Sequence, residues 1–537
     1  MRTRSFSFFI SLALVVVGCS DEVPYSSSLA DCDAKDPFPL QAGENIEADS
    51  CFRLTRDEFS FPNYSGGPML SAKEMVEVFG SGVCSRHLVT CSMHDEMAGY
   101  CTADCVLTPQ ARRHIDEYDV AMKGGLCDGL SAMSQLMHIG YVEAQDFGSS
   151  SAYGLSENDK LQREIARWWT TQIPVQQRRV YKELTPADAL KYLDRLWHYK
   201  VMATLWIHYF VEDHTAAHAI TPYAITADEG GNRRLYVYDS NDPNGVHFVE
   251  IDPTETTWKY KLTNGAFAGT EYSPSGFAEM RFVPDADRTD RYCWFCEESF
   301  ADDVQDHVIL GGDMLARLED QSHNVIVEKS ANGVWNSTNA ELQFLLTNLD
   351  DRPLPSIVHE VHAPYLITFT GAPTGGEPGR FLVSSPGGTI GVEGIHLQPD
   401  KNGLATVHPD TNEIEYEASG TEEATLHITA HHDAADYEFT LTILAQNGHK
   451  MRFKNDELAE VIVVDLEAAD PNYDVTIGIE RHMLDQREAA TFTHVAHGQS
   501  VEYTIRYGDF MHGISVDVDI DKDGVNFTET WMPQILP

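Results

Sequence analysis

Apolar positions recur along this chain with two different periods, and the change between them divides it. In the first half the period is helical. Leu126, Leu130, Met133 and Met137 fall on one helical face and predict a helix that opens at Cys127. Leu161 to Thr171, with Ile165, Trp168 and Trp169, predicts a second amphipathic helix. Thr185 and Pro186 supply a cap and a first-turn proline for a third, whose stripe is Leu190, Leu193, Leu196 and Trp197. Strand-like runs follow: Met202 to Phe210, His218 to Ile225 and Leu235 to Tyr238, the last two separated by a turn at Asp228 to Asn232. Asp313 to Glu319 predicts one short helix, and Glu341 to Leu349 a short apolar element. From about Pro353 the pattern becomes alternation. Tyr365–Phe369, Thr425–Thr429, Tyr437–Leu444, Val461–Leu466, Val475–Ile479 and Val501–Tyr507 are short strands with turns and no helices between them. That texture predicts one or two β-sandwich modules over 351–537.

Chemistry concentrates where the helical half begins. Gly124 and Gly125 permit a sharp turn before Cys127. A cysteine in the first turn of a helix meets unpaired N–H groups and the positive end of the helix dipole, both of which favour thiolate. A directed nucleophile also needs a base, and His218, on a predicted strand, is the candidate; His214 is the rival. Asp239 closes the next strand and can hold an imidazole, with Asn241 as runner-up two residues on.

Helix-borne Cys127, strand-borne His218, then Asp239 or Asn241 after the following strand: this order resembles papain-like cysteine peptidases. The combination Gly-Gly-x-Cys-x-Gly at 124–129, His-Ala-x-x-Pro-Tyr at 218–223 and Tyr-Asp-x-Asn-x-Pro at 238–243 is similar to that of uncharacterised secreted bacterial papain-like proteins. The resemblance covers roughly residues 115–300. It implies a papain-like catalytic domain over 116–350, an α+β chain overall, and attack on a protein or peptide substrate through a thioacyl intermediate with no required cofactor. Two features depart from the family pattern. Asp128, not an aromatic residue, follows the nucleophile, and Ala121 stands where a glutamine for the oxyanion would be, the nearest upstream glutamine being Gln110.

Charge narrows the partners. The chain has 537 residues and a formal net charge of −45, so nucleic acid and anionic membrane surfaces are poor partners. Arg2 and Arg4, an apolar run from Phe6 to Val17, and Val16-Val17-Gly18-Cys19 read as a lipoprotein signal over 1–19, with Cys19 as the lipidated residue. The expected location is the bacterial envelope, an outer-membrane lipoprotein facing periplasm or exterior, touching membrane through its anchor only. Residues 20–50 read as a linker, and 51–115 as a cysteine-rich segment of the catalytic unit.

Of the 10 cysteines, setting aside Cys19 and Cys127 leaves Cys32, Cys51, Cys84, Cys91, Cys101, Cys105, Cys293 and Cys296. An even remainder in an exported protein predicts disulfides, with Cys293–Cys296 as a local bridge. Near the end, Asp519, Asp521 and Asp523 precede Gly524 in the spacing of a calcium loop, although Thr530 stands where the bidentate glutamate belongs. Ca2+ is therefore an optional ligand. Two functions remain: a cysteine hydrolase, or a catalytically silent papain-like scaffold or adhesion protein at the cell surface. Oligomeric state is not legible.

Overall fold

The computed structural model describes Cys32, Phe38 and the chain from Leu40 to Leu536, apart from short internal stretches of which 86–95, 262–270, 297–305 and 345–354 are the longest; residues 1–31 lie outside it. The chain is α+β, with its long helices in the first half and sheet throughout the second. Cys19 of the expected signal lies outside the described residues. No described helix is long and apolar enough to cross a membrane.

Four helices matter for the site: α1 (Pro109–Met122), α2 (Cys127–His138), α3 (Asp159–Thr170) and α4 (Pro186–His198). Their starts follow from capping. Thr108, Asn158 and Thr185 each accept a backbone N–H of the first turn, satisfying a donor the helix cannot use itself. α2 is buried from Cys127 through Leu136 and packs against α3. Gly129 makes that approach feasible, because a Cβ there would sit 2.2 Å from the Ile165 carbonyl oxygen.

Behind α2 stands a nine-stranded antiparallel sheet built from β1 (Glu44–Asp49), β2 (Lys182–Glu183), β3 (Ala203–Val211), β4 (His214–Asp228), β5 (Arg233–Tyr238), β6 (His247–Ile251), β7 (Trp258–Lys261), β8 (Glu271–Tyr272) and β9 (Ala278–Pro284). Its order is β8-β7-β6-β5-β4-β3-β9-β2, with β1 added to β4. Alternate residues of β3 divide between its faces, as strand geometry requires. Trp206 packs with Cys127, whereas Leu205 and Ile207 pack with Ala189, Leu190 and Leu193 of α4. β1 corrects the expected 20–50 linker: Glu44 to Asp49 are sheet residues paired with Asp228 to Ala224. Its apolar positions, Ile46 and Ala48, are too few to stand out among acidic neighbours.

The second half is a sandwich of a ten-stranded and an eleven-stranded sheet. It begins earlier than 351. Asp306–Gly311 pairs with Gly379–Ser385 in the first sheet, and Leu315–Glu319 pairs with Tyr365–Thr370 in the second. The helix expected over 313–319 is thus a strand, with Ala316 and Leu318 buried at strand period. Glu341–Phe344 is likewise a strand, paired with Pro355–His359. From Gly379 onward hairpins alternate between the sheets: Gly379–Ile395 to the first, Asn402–Glu417 to the second, Glu422–Ala445 to the first, Lys450–Glu467 to the second, Asn472–His497 to the first and Ser500–Ile520 to the second. α1 docks on the ten-stranded sheet through polar contacts. Arg113 reaches Glu438 (2.7 Å) and Glu393 (3.1 Å), Arg380 reaches Glu117 (2.8 Å), and His114 Nε2 lies 3.1 Å from Ser384 Oγ.

Disulfides join Cys32–Cys51, Cys84–Cys105 and Cys293–Cys296, and Cys101 is also disulfide-bonded. Cys127 is a free cysteine, and it is buried.

Candidate active site

The turn ahead of α2 is set by its glycines. Gly125 has φ +111°, a conformation that disfavours any residue with a Cβ. Leu126 occupies the cap position with no side-chain cap, and Cys127 is the first helical residue. The sulfur accepts backbone N–H groups from Ala219 and Asp128. Ala219 follows His218 on β4, and the register of β5 with β4 begins only at Thr221, so this part of the strand faces the helix start without a β5 partner.

His218 Nε2 lies 2.8 Å from Asp239 Oδ1. Asp239 also accepts the Tyr260 hydroxyl (2.5 Å) and the Asn241 N–H (2.9 Å). His218 Nδ1 is buried with no hydrogen-bond partner among the described residues. The three side chains are closed off from solvent: relative exposure is 0% for Cys127, 0% for His218 and 1% for Asp239.

Burial alone would raise the Asp239 pKa, but the His218 charge and the hydrogen bonds from His218 and Tyr260 hold it well below the usual carboxylate range. The thiol goes the other way. Burial pushes Cys127 well above its ordinary value, the charges of Asp128 and Asp239 add to the rise, and the Ala219 and Asp128 N–H groups oppose it. The helix-start effect expected from the sequence is present and outweighed by desolvation.

Asp128, directly after Cys127, is a buried acid with partners of its own. Its carboxylate points into the core, where Arg288 binds it with two parallel bonds (2.8 and 2.7 Å) and Trp206 Nε1 donates at 2.6 Å. Arg288 also reaches Thr171 Oγ1 at 3.0 Å. Asp285 opens the same turn as Arg288; both of its carboxyl oxygens are buried and unpartnered among the described residues, and burial pushes its pKa up to about 7. Deeper along α2, Ser131 Oγ meets Thr221 Oγ1 (2.7 Å), and Gln135 Nε2 donates to Thr204 Oγ1 (3.0 Å).

Asn241, the runner-up for the imidazole, stands one step back. Its N–H goes to Asp239, and its side-chain oxygen accepts Asn63 Nδ2 at 3.0 Å. Asn63, Arg288 and Tyr260 were not singled out by the sequence, since each comes from a distant segment with no motif of its own. Asp128 was the available signal: a carboxylate on the buried side of a core helix demands a cation. His214 begins β4, four residues before His218.

Of the three calcium positions only Asp519 falls among the described residues. Asp519 lies on the strand Ile514–Ile520 opposite Glu502 and Asn526, while Asp521 and Asp523 lie outside the described residues. The grouping of Cys32, Asp49 and Cys51 has ligand-like spacing, but its sulfurs form a disulfide and Asp49 is held by Arg53 at 2.8 Å.

No family model, curated protein or solved structure matches this chain.

Proposed function

We propose that this chain is a cysteine hydrolase of papain-like arrangement, acting on a protein or peptide substrate. The observation that supports it is the meeting of a helix-start thiol with a strand bearing a buried His–Asp pair. The sulfur takes the N–H of the residue next to His218, and that histidine keeps one ring nitrogen unpartnered among the described residues while Asp239 holds the other. Asp239 fixes the tautomer: with Nε2–H donated to the carboxylate, Nδ1 carries the lone pair a general base needs.

The chemistry then runs in two halves. The Cys127 sulfur attacks a carbonyl carbon as its proton passes to His218 Nδ1, giving a tetrahedral oxyanion. The Cys127 N–H is the candidate first oxyanion donor. Collapse expels the amine, which takes the proton from His218 and leaves a thioester. Water, deprotonated by His218, hydrolyses that thioester and restores the thiol. Asp239 stays ionised throughout and stabilises the imidazolium. Because the three groups are buried, substrate reaches the sulfur through an opening motion.

The disulfides fit an oxidising compartment, in keeping with export, a Cys19 lipid anchor and an outer-membrane location. A second reading, a silent scaffold, is favoured by one observation: the Cys127 side chain has no exposure to solvent. A peptide vinyl sulfone probe separates the two. The hydrolase labels at Cys127 in the native protein, and His218→Ala lowers that labelling by several orders of magnitude. Labelling of Cys127 only after denaturation establishes the scaffold.

A further inference from the structure

One residue far from the catalytic motifs touches both of the segments that must stay aligned. Asn63 belongs to the N-terminal segment, ahead of every helix named above. Its side-chain oxygen accepts the Leu126 N–H at 2.8 Å, directly before Cys127. Its side-chain nitrogen donates to Asn241 Oδ1 at 3.0 Å, and its own N–H donates to the Ser240 carbonyl at 2.7 Å. Ser240 and Asn241 immediately follow Asp239, and the Asn241 N–H in turn binds the Asp239 oxygen that holds His218. A continuous path of hydrogen bonds therefore runs from the nucleophile turn, through the amide side chains of Asn63 and Asn241, to the carboxylate behind the base.

We infer that Asn63 is a positioning residue that sets the alignment of Cys127 with His218 by tying the nucleophile turn to the Asp239 loop. The inference rests on the cysteine-hydrolase reading and names how that site is held together. The chemistry asks for an amide here. Leu126 presents a donor and Asn241 an acceptor, and an amide meets both at once, accepting through its oxygen and donating through its nitrogen. Aspartate would keep the bond to Leu126 and set two oxygens against each other at Asn241; alanine would drop both bonds.

The geometry nearby gives the tie its leverage. Residues just after Asn63 run along the same turn: Gly66 donates to the Met122 carbonyl at 3.0 Å, and Gly67 packs beside Leu126. β1, upstream in the same segment, is a strand of the main sheet. The N-terminal segment is thus a working part of the site and not a detachable cover. Displacement of a reacting group by about 1 Å costs on the order of a hundredfold in rate.

The test uses the intact protein and iodoacetamide, reading the rate of Cys127 alkylation from pH 5 to 10 alongside thermal unfolding. Iodoacetamide reaches the sulfur in the opened state, where burial no longer raises the thiol, so the wild type is expected to react with a midpoint below the free-thiol value of about 8.5, and His218→Ala to move that midpoint up. Asn63→Ala and Asn63→Asp are expected to slow the reaction at pH 6 by about tenfold to a hundredfold while remaining folded. Asn241→Ala probes the same tie from its other end, so the double variant with Asn63→Ala should be no slower than the slower single one. Tyr153→Phe removes the 2.7 Å bond to Asn244 at the far end of the same loop and should leave the profile unchanged. If Asn63→Asp and Asn241→Ala both react like the wild type while His218→Ala does not, the positioning role falls and the hydrolase reading stands. If the wild type and His218→Ala share one profile, there is no pair to position and both fall together.

Discussion

Between the ten- and eleven-stranded sheets lie Phe369, Phe381, Leu426, Phe439, Leu441, Ile462 and Tyr503, inward positions of strands whose alternate residues face out. Against the nine-stranded sheet lie Asp128, Arg288, His218, Asp239 and Asn63, all buried. The sandwich gains stability from apolar area, which is additive and tolerant of position. The front half gathers buried charges and amides around one site, and Asp128, Asp239 and Asn63 are each held by partners from other segments. Loss of one such partner costs more than loss of a methyl group, because the group left behind stays desolvated.

The largest stability effect on this contrast should come from Arg288→Met. It strands the Asp128 carboxylate among Trp206 and the α2 start, at a cost of about 3–5 kcal/mol. Urea unfolding monitored by Trp fluorescence measures it, and recovery in the double variant Asp128→Leu, Arg288→Met would show that the stranded charge is the cause.

Asp285 should give the next effect, and its sign depends on pH. Burial pushes its folded pKa up to about 7, from an ordinary 3.8. Between those values the folded state keeps a proton that the unfolded chain has released, so stability falls as pH rises through that window and stays low above it. Asp285→Asn should remove the slope, stabilising the protein by about 1–3 kcal/mol at pH 8 and leaving it nearly unchanged at pH 4. Paired melts at the two pH values decide it.

The smallest effect belongs to the sandwich. Ile477→Val, at a fully buried position in the strand Asn472–His482, should cost about 0.5–1.5 kcal/mol by denaturant unfolding. A cost above that of Arg288→Met would overturn the contrast between the two halves.

What the sequence made legible follows the same division. The α2 start was readable because Leu126, Leu130 and Met133 mark one face and paired glycines mark the turn, and the caps at Thr185 and Pro186 marked α4. The alternation after Tyr365 was readable because strand period is local. Leu315–Glu319 was misread because Leu315 and Leu318, three apart, suit a helical face, whereas the strand buries Ala316 and Leu318; the pairing with Tyr365–Thr370 decides the matter, and pairing is not local. Cys127, His218 and Asp239 could be picked out as candidates from the sequence, but the residues that support them could not. Arg288 lies 160 residues from Asp128, and Asn63 lies 63 from Leu126. Nothing in their own neighbourhoods announces a buried partner.

The alternation of hairpins between the two long sheets carries its own consequence for how that half assembles. Each hairpin of one sheet pairs with the hairpin two steps earlier in the chain: Glu422–His431 with Gly388–Ile395, and Lys450–Asp456 with Glu413–Glu417. A growing sandwich therefore needs only the two most recent hairpins as a template, and it lengthens like a zip closing from one end, with short loops to close at every step. The unit of growth is two consecutive hairpins, one per sheet. Excising such a unit, residues 422–467 for example, shortens both sheets equally and leaves the junction on the same edges, so the distance between the sandwich's two ends is a length the chain can change in fixed increments.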